Sequence, residues 1–204
     1  MITTLLCASL LGATVQPDYP QPQDITSVSV EGGEVVVPLP VRTLKTVTVA
    51  GEVGWNGLAG TGLNVSWNLG PHFSLDSGLG VSGQTAKAGL RARWNLLTAS
   101  ATPFLGVGAM YGTGTPVELD NTYEGNTIRF KIDRSPFAQA VGGISYIADN
   151  GFSLLASAGA SWLLTDNNIL LKSGVPTANQ DKGLRNAAGT GVGLVASLAL
   201  GYSY

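Results

Sequence analysis

The chain has 204 residues, enough for one domain with a full core. Only 12% of them are charged, against about 25% in an average soluble protein, and mean hydropathy is positive at +0.22. The surface therefore cannot be mostly charged, and a net charge of −2 without any Lys/Arg cluster provides no basic field for nucleic acid.

Residues 1–15, MITTLLCASLLGATV, are the one uninterrupted apolar stretch. It is shorter than the ~20 residues of a membrane-spanning helix. It reads as the core of a signal segment, although no Lys or Arg precedes it and no small-x-small cleavage site follows. Cys7 is the only cysteine, so no intrachain disulfide is available. Residues 16–43 form a Pro-rich extension. Its first part, QPDYPQPQ, is a stiff linker, and the next predicts a short hairpin turning at Gly32–Gly33, with Pro38 and Pro40 holding its second arm to an edge.

From residue 44 to 204 the alternation has period two almost everywhere, and it predicts eight strands: 44–55, 61–69, 72–83, 86–97, 102–112, 130–147, 152–164 and 190–204. Their connections alternate in kind. NGLAGTG, GQTA, 113–129 and 165–189 stand at one end, and the tight turns NLGPH, LLTASAT and ADNG at the other. Loops at one end and short turns at the other are the habit of an up-and-down transmembrane barrel.

What alternates decides between a membrane barrel and a soluble sandwich. On the eighth strand Val192, Leu194, Ala196, Leu198, Leu200, Tyr202 and Tyr204 share a face, opposite Gly193, Val195, Ser197, Ala199, Gly201 and Ser203. On the fourth, Ala88, Leu90, Ala92, Trp94 and Leu96 stand against Lys87, Gly89, Arg91, Arg93 and Asn95. A soluble barrel would turn the apolar face inward and place charges outside, and this chain has too few charges for that. The expected fold is an all-β, eight-stranded antiparallel transmembrane barrel, apolar side out, over residues 44–204. A ten-stranded version including the N-terminal hairpin is the alternative, although its arms fall short of the ~9–11 residues of a spanning strand.

The aromatic residues sort by strand end. Trp67, Phe73, Trp94, Tyr146, Phe152, Tyr202 and Tyr204 lie beside the short turns, and Trp55, Tyr111 and Trp162 beside the loops. They form two girdles of the kind that settle at membrane interfaces. The ten steps from Phe152 to Trp162, at ~3.3 Å each and a tilt of ~40°, cover about 25 Å, the height of the apolar band in such barrels. With eight strands both barrel termini lie on the short-turn side, where the last strand must pair with the first to abolish the edges.

LVASLALGYSY (194–204) resembles the C-terminal signal of outer-membrane barrels, an amphipathic strand with a terminal aromatic read by the barrel-insertion machinery. LRARWNLLTASATPFLGVGAMYG (90–112) resembles the strand-turn-strand repeat of OmpA-type small barrels. In that repeat a basic strand ends in an aromatic-Asn pair, and the next opens with Pro-aromatic and spaced glycines. The resemblance implies an integral protein of the cell outer membrane, with outer-membrane lipids and the insertion machinery as partners. It departs at the N-terminal extension and carries no trailing peptidoglycan-binding domain.

An eight-stranded barrel has an interior just wide enough for side chains. Glu52, Asp76, Arg91 and Arg93 are the charges expected inside, paired because an isolated buried charge is expensive. With the loop between the third and fourth strands centred on Gln84–Thr85, Asp76 is expected opposite Arg93. This set reads either as a network that closes the lumen or as the constriction of a narrow ion path. HFSLD places His72, Ser74 and Asp76 on one face, and His-x-Ser resembles the motif of outer-membrane lipid A deacylases. By parity, however, these residues face the lumen, away from lipid. Residues 113–135 carry Glu118, Asp120, Glu124, Arg129, Lys131, Asp133 and Arg134, a salt-bridged loop or a contact for anionic headgroups. Asp166 and Asn167 lack calcium-loop spacing, and the chain has no nucleotide loop or zinc set, so no metal or cofactor is expected. The reading is a non-enzymatic barrel serving envelope integrity or surface interaction, with loops 113–129 and 165–189 as its contact surface. A narrow channel or pore subunit is the alternative, and a lipid A-modifying enzyme comes third.

Overall fold

Alternating large and small residues send every second side chain to the same side of a pleated strand. Eight such strands close into an antiparallel barrel here. The structure is a computed structural model that describes residues 39–82, 85–123, 125–188 and 191–204. The expected signal segment, Cys7, the linker and the hairpin at Gly32–Gly33 lie outside the described residues. One helical turn, α1 (Val41–Leu44), leads into β1 (Val47–Trp55), β2 (Thr61–Asn68), β3 (Phe73–Ser82), β4 (Thr85–Asn95) and β5 (Ala101–Gly112). The chain then leaves the barrel for β6 (Leu119–Tyr123) and β7 (Asn126–Ile132), and returns as β8 (Ser135–Ile147) and β9 (Phe152–Leu163). A second excursion holds β10 (Ile169–Ser173) and α2 (Ala178–Ala188) before the closing strand β11 (Val192–Ser203).

Around the barrel the order is β1-β11-β9-β8-β5-β4-β3-β2. β1 pairs with β11 from Thr48 opposite Ser203 to Trp55 opposite Ala196, which leaves the barrel without an edge. Its faces are inverted relative to a soluble protein. Val53, Leu63, Leu79, Leu90, Leu105, Val107 and Leu194 are exposed on the outside, while Asn64, Ser66, Ser74, Asn95, Gln139, Ser153 and Ser161 are buried within.

The expected sixth strand, 130–147, is two strands in two sheets. Period two runs in phase through both, so alternation cannot reveal the break. At the junction the Asp133 carboxylate accepts the Arg134 N–H at 2.8 Å and the Asp133 carbonyl accepts the Ser135 hydroxyl at 2.8 Å. β8 starts there opposite Gly112, whereas Ile132 pairs with Ile169.

The two long connections are likewise not irregular loops. β10, β7 and β6 form a three-stranded sheet in that order. Ile128, Phe130 and Leu184 of α2 make its core, with Leu119, Ile132 and Ile169 packed against them. α2 starts on a capping box: the Thr177 hydroxyl accepts the Gln180 N–H at 3.3 Å, and the Gln180 side-chain oxygen accepts the Thr177 N–H at 3.0 Å. Gln180 also donates to the Asn126 carbonyl at 3.0 Å, tying the helix to the β6–β7 hairpin. The buried Asn168 amide donates to Ser135 Oγ at 2.9 Å and to the Ala188 carbonyl at 2.8 Å, anchoring this module to the barrel.

The first connection, expected to project outward as NGLAGTG, turns into the lumen instead. Asn56 adopts φ 53° and Gly60 φ 71°, reversing the chain at each side of the excursion. Between them Leu58 and Ala59 are completely buried. Gly78 and Gly89 make the room: a Cβ on Gly78 would stand 2.8 Å from the Ala59 nitrogen, and one on Gly89 2.7 Å from Leu58 Cδ1.

Candidate functional site

The barrel interior gathers the charges that the outer surface excludes. Asp76 on β3 and Arg91 on β4 are directly opposite in the ladder, and Arg93 is opposite Ser74. The expected pairing of Asp76 with Arg93 is thus displaced by two residues, because the β3–β4 ladder closes at Ser82 opposite Thr85. Both arginines nevertheless reach Asp76. Arg91 Nε donates to one carboxylate oxygen at 2.9 Å and Arg93 Nη2 to the other at 2.9 Å, with Asp76 and Arg91 both 0% exposed. Arg91 and Arg93 also stand over the buried Phe104 ring, 5.9 and 5.2 Å from its centroid.

Glu52 is buried in the same lumen but does not join this network. Its carboxylate accepts the Asn64 amide at 2.7 Å and the Ala59 N–H at 3.4 Å, so it holds the inserted first connection in place. The physical reason is height: Glu52 pairs with Gly62 toward the loop end, whereas Asp76 pairs with Ser66 nearer the short turns. Lys87 is buried near the loop end of β4 as well.

Three features of the lumen were not expected. Phe104, Val141 and Val195, with Leu155, form an apolar cluster inside the barrel. Parity already places Val195 and Leu155 on the inner faces of their strands; what the residue types do not announce is that they meet Phe104 and Val141 in an apolar cluster. Leu58 enters from the loop end. Arg42 of α1 closes the short-turn end, donating to the carbonyls of Ala99 at 2.6 Å, Ser100 at 3.1 Å and Ser145 at 3.0 Å, and to Ser145 Oγ at 3.2 Å. Burial, and then the nearby Arg93 guanidinium, bring the Arg42 pKa down to about 10, which leaves it charged at neutral pH.

Arg91 Nη1, Arg93 Nε and Nη1, and both polar atoms of Gln139 have no hydrogen-bond partner among the described residues. Beside Arg93 a cavity of about 20 Å³ remains, room for about one water.

His72 belongs to the turn before β3, not to the lumen face. Its ring stacks on Trp94 at 5.9 Å and its Nδ1 contacts the Asn95 carbonyl at 2.9 Å. The Ser74 hydroxyl donates to Asn68 Oδ1 at 2.8 Å and accepts the Asn95 amide at 3.0 Å. His72 and Ser74 therefore do not form a nucleophile–base pair.

All ten girdle candidates are exposed on the outside of the barrel: Trp55, Tyr111 and Trp162 at the loop end, and Trp67, Phe73, Trp94, Tyr146, Phe152, Tyr202 and Tyr204 at the other. Tyr202 and Tyr204 meet edge to face at 5.1 Å, and Tyr146 and Phe152 lie 6.5 Å apart. In the loop-end module Arg129 bonds Asp120 at 2.9 Å and lies 3.9 Å from Glu118. The hydrogen bond to Asp120 and the charges of both carboxylates raise the Arg129 pKa.

No family model matches the chain, and no curated protein does. Among solved structures it is similar to the crystal structure of Acinetobacter baumannii CarO, at 13% identity and a TM-score of 0.47, over 79% of this chain and 99% of that one. The barrel itself is read from its strand pairing, independently of that likeness.

Proposed function

We propose that this protein is a non-enzymatic integral barrel of the bacterial outer membrane, of the OmpA-type small-barrel kind, serving envelope integrity or surface interaction. The inversion of its faces carries the reading: leucines, valines and aromatic rings cover the outside while carboxylate and guanidinium groups are buried in the interior. On this reading outer-membrane lipids contact the outer face between the two girdles, and β11 with Tyr202 and Tyr204 is the surface offered to the barrel-insertion machinery. The module of β6, β7, β10 and α2 is the contact surface outside the cell.

The packed lumen favours this role over a channel. Leu58 fills it from one end, Arg42 from the other, and the Phe104 cluster lies between them. A conducting path would require these groups to withdraw. The test is planar-bilayer recording with the purified chain. No steady current is expected, and a steady current altered by Asp76→Ala would replace the structural role with a channel.

A further inference from the structure

The short-turn half of the lumen is out of charge balance. Arg42, Arg91 and Arg93 are all buried there, with Asp76 the only buried carboxylate among the described residues beside them, an excess of two positive charges. Glu52 does not correct this, since it is bonded to Asn64 and Ala59 toward the loop end, where Lys87 is buried as well. Guanidinium groups in this setting keep their protons at neutral pH, and a buried charge without a counter-charge costs several kcal/mol.

The cavity of about 20 Å³ lies where that excess is. Arg93 lines it together with Thr48, Asn64, Ser66, Ser145 and Ser153, the rest of the wall being largely apolar, and Arg93 Nε and Nη1 have no hydrogen-bond partner among the described residues. Ser145 Oγ accepts a hydrogen bond from Arg42, which leaves its own proton free to donate. The wall holds no carboxylate. Room for at least one water-sized particle admits a monatomic anion.

The geometry points to a halide ion, chloride in ordinary media, bound in this cavity beside Arg93 as the counter-charge of the buried guanidinium cluster. Such an ion stabilises the closed lumen only in the folded state, so stability follows its concentration by mass action. The inference concerns the lumen and is independent of whether the outer face meets a membrane.

Two measurements on the full chain in detergent micelles test it. Crystals grown in sodium bromide are expected to show one anomalous peak in the cavity, within hydrogen-bond reach of Arg93 and the surrounding hydroxyls. Urea midpoints, followed by tryptophan emission, are expected to climb with chloride or bromide and not with gluconate at equal ionic strength, and Arg93→Gln is expected to lose that dependence. Because Arg93→Gln is itself a core change, the wild-type crystals decide alone if the variant does not fold. Water in the cavity with no anomalous signal, or equal midpoints in chloride and gluconate, overturns the proposal.

Discussion

Asp76→Asn tests whether the lumen is held by charge compensation. The amide has nearly the same shape as the carboxylate, so packing is preserved and only the charge is lost. Asp76 accepts a charge-assisted hydrogen bond from each of two arginines, both at 2.9 Å, and neither it nor Arg91 is accessible to water. Removing one partner of a buried ion pair costs about 3–5 kcal/mol, because the other partner keeps its desolvation penalty. Here two guanidiniums are orphaned at once, so the upper part of that range is expected. With m values of about 1–3 kcal/mol per molar urea, the midpoint of unfolding from micelles or vesicles should fall by at least about 1 M. The exposed pair Asp120–Arg129 is the internal comparison, and Asp120→Asn should leave the barrel midpoint unchanged. Replacing Asp76, Arg91 and Arg93 together by apolar residues of similar volume should recover most of the loss. A cost below about 1 kcal/mol for Asp76→Asn, the range of a solvated pair, would refute the reasoning.

Leu90→Arg, at a position 57% exposed in the middle of β4, should destabilise the barrel in lipid vesicles by about 2–4 kcal/mol; an unchanged vesicle midpoint would count against a lipid-facing surface. Gly78→Val should cost about 1–3 kcal/mol by driving a side chain into the inserted Leu58–Ala59 segment. Leu58→Ala in the same background should add less than it costs alone, a coupling that urea titrations of the four combinations would show. Phe130→Ala should remove about 3–5 kcal/mol from the module outside the barrel. Trypsin should then cut near Lys131 and Lys172 while the remaining barrel still migrates as a compact, heat-modifiable band.

The inverted faces were legible because period two is unbroken where it matters: Leu194, Leu198 and Leu200 alternate with Gly193, Val195 and Ser197 and take opposite sides of β11 as expected. Parity assigns a face and says nothing of height, which is why Glu52 was grouped with arginines that it does not touch. Register depends on where a turn closes, so one displaced hairpin moved Asp76 from opposite Arg93 to opposite Arg91. Leu58 was hidden because a leucine in a glycine-rich connection reads as a loop, and Phe104 because it has the parity of the inward residues without their polar or small type. α2 had a readable signal in Thr177–Gln180, but its helical stretch ANQDKGLRNAA is polar on average, with Leu184 its one large apolar residue, and reads as loop. The split between β7 and β8 had none, since Phe130 and Ile132 alternate in phase with the barrel strand that follows.

On this reading the oily face of the barrel meets acyl chains. The most direct test is a single tryptophan at Leu105, an outward residue of β5, with the four native tryptophans replaced by phenylalanine and the protein reconstituted in vesicles. Strong quenching by lipids brominated in their acyl chains is expected, with protection from aqueous iodide. Quenching by iodide with no response to brominated lipid would contradict it.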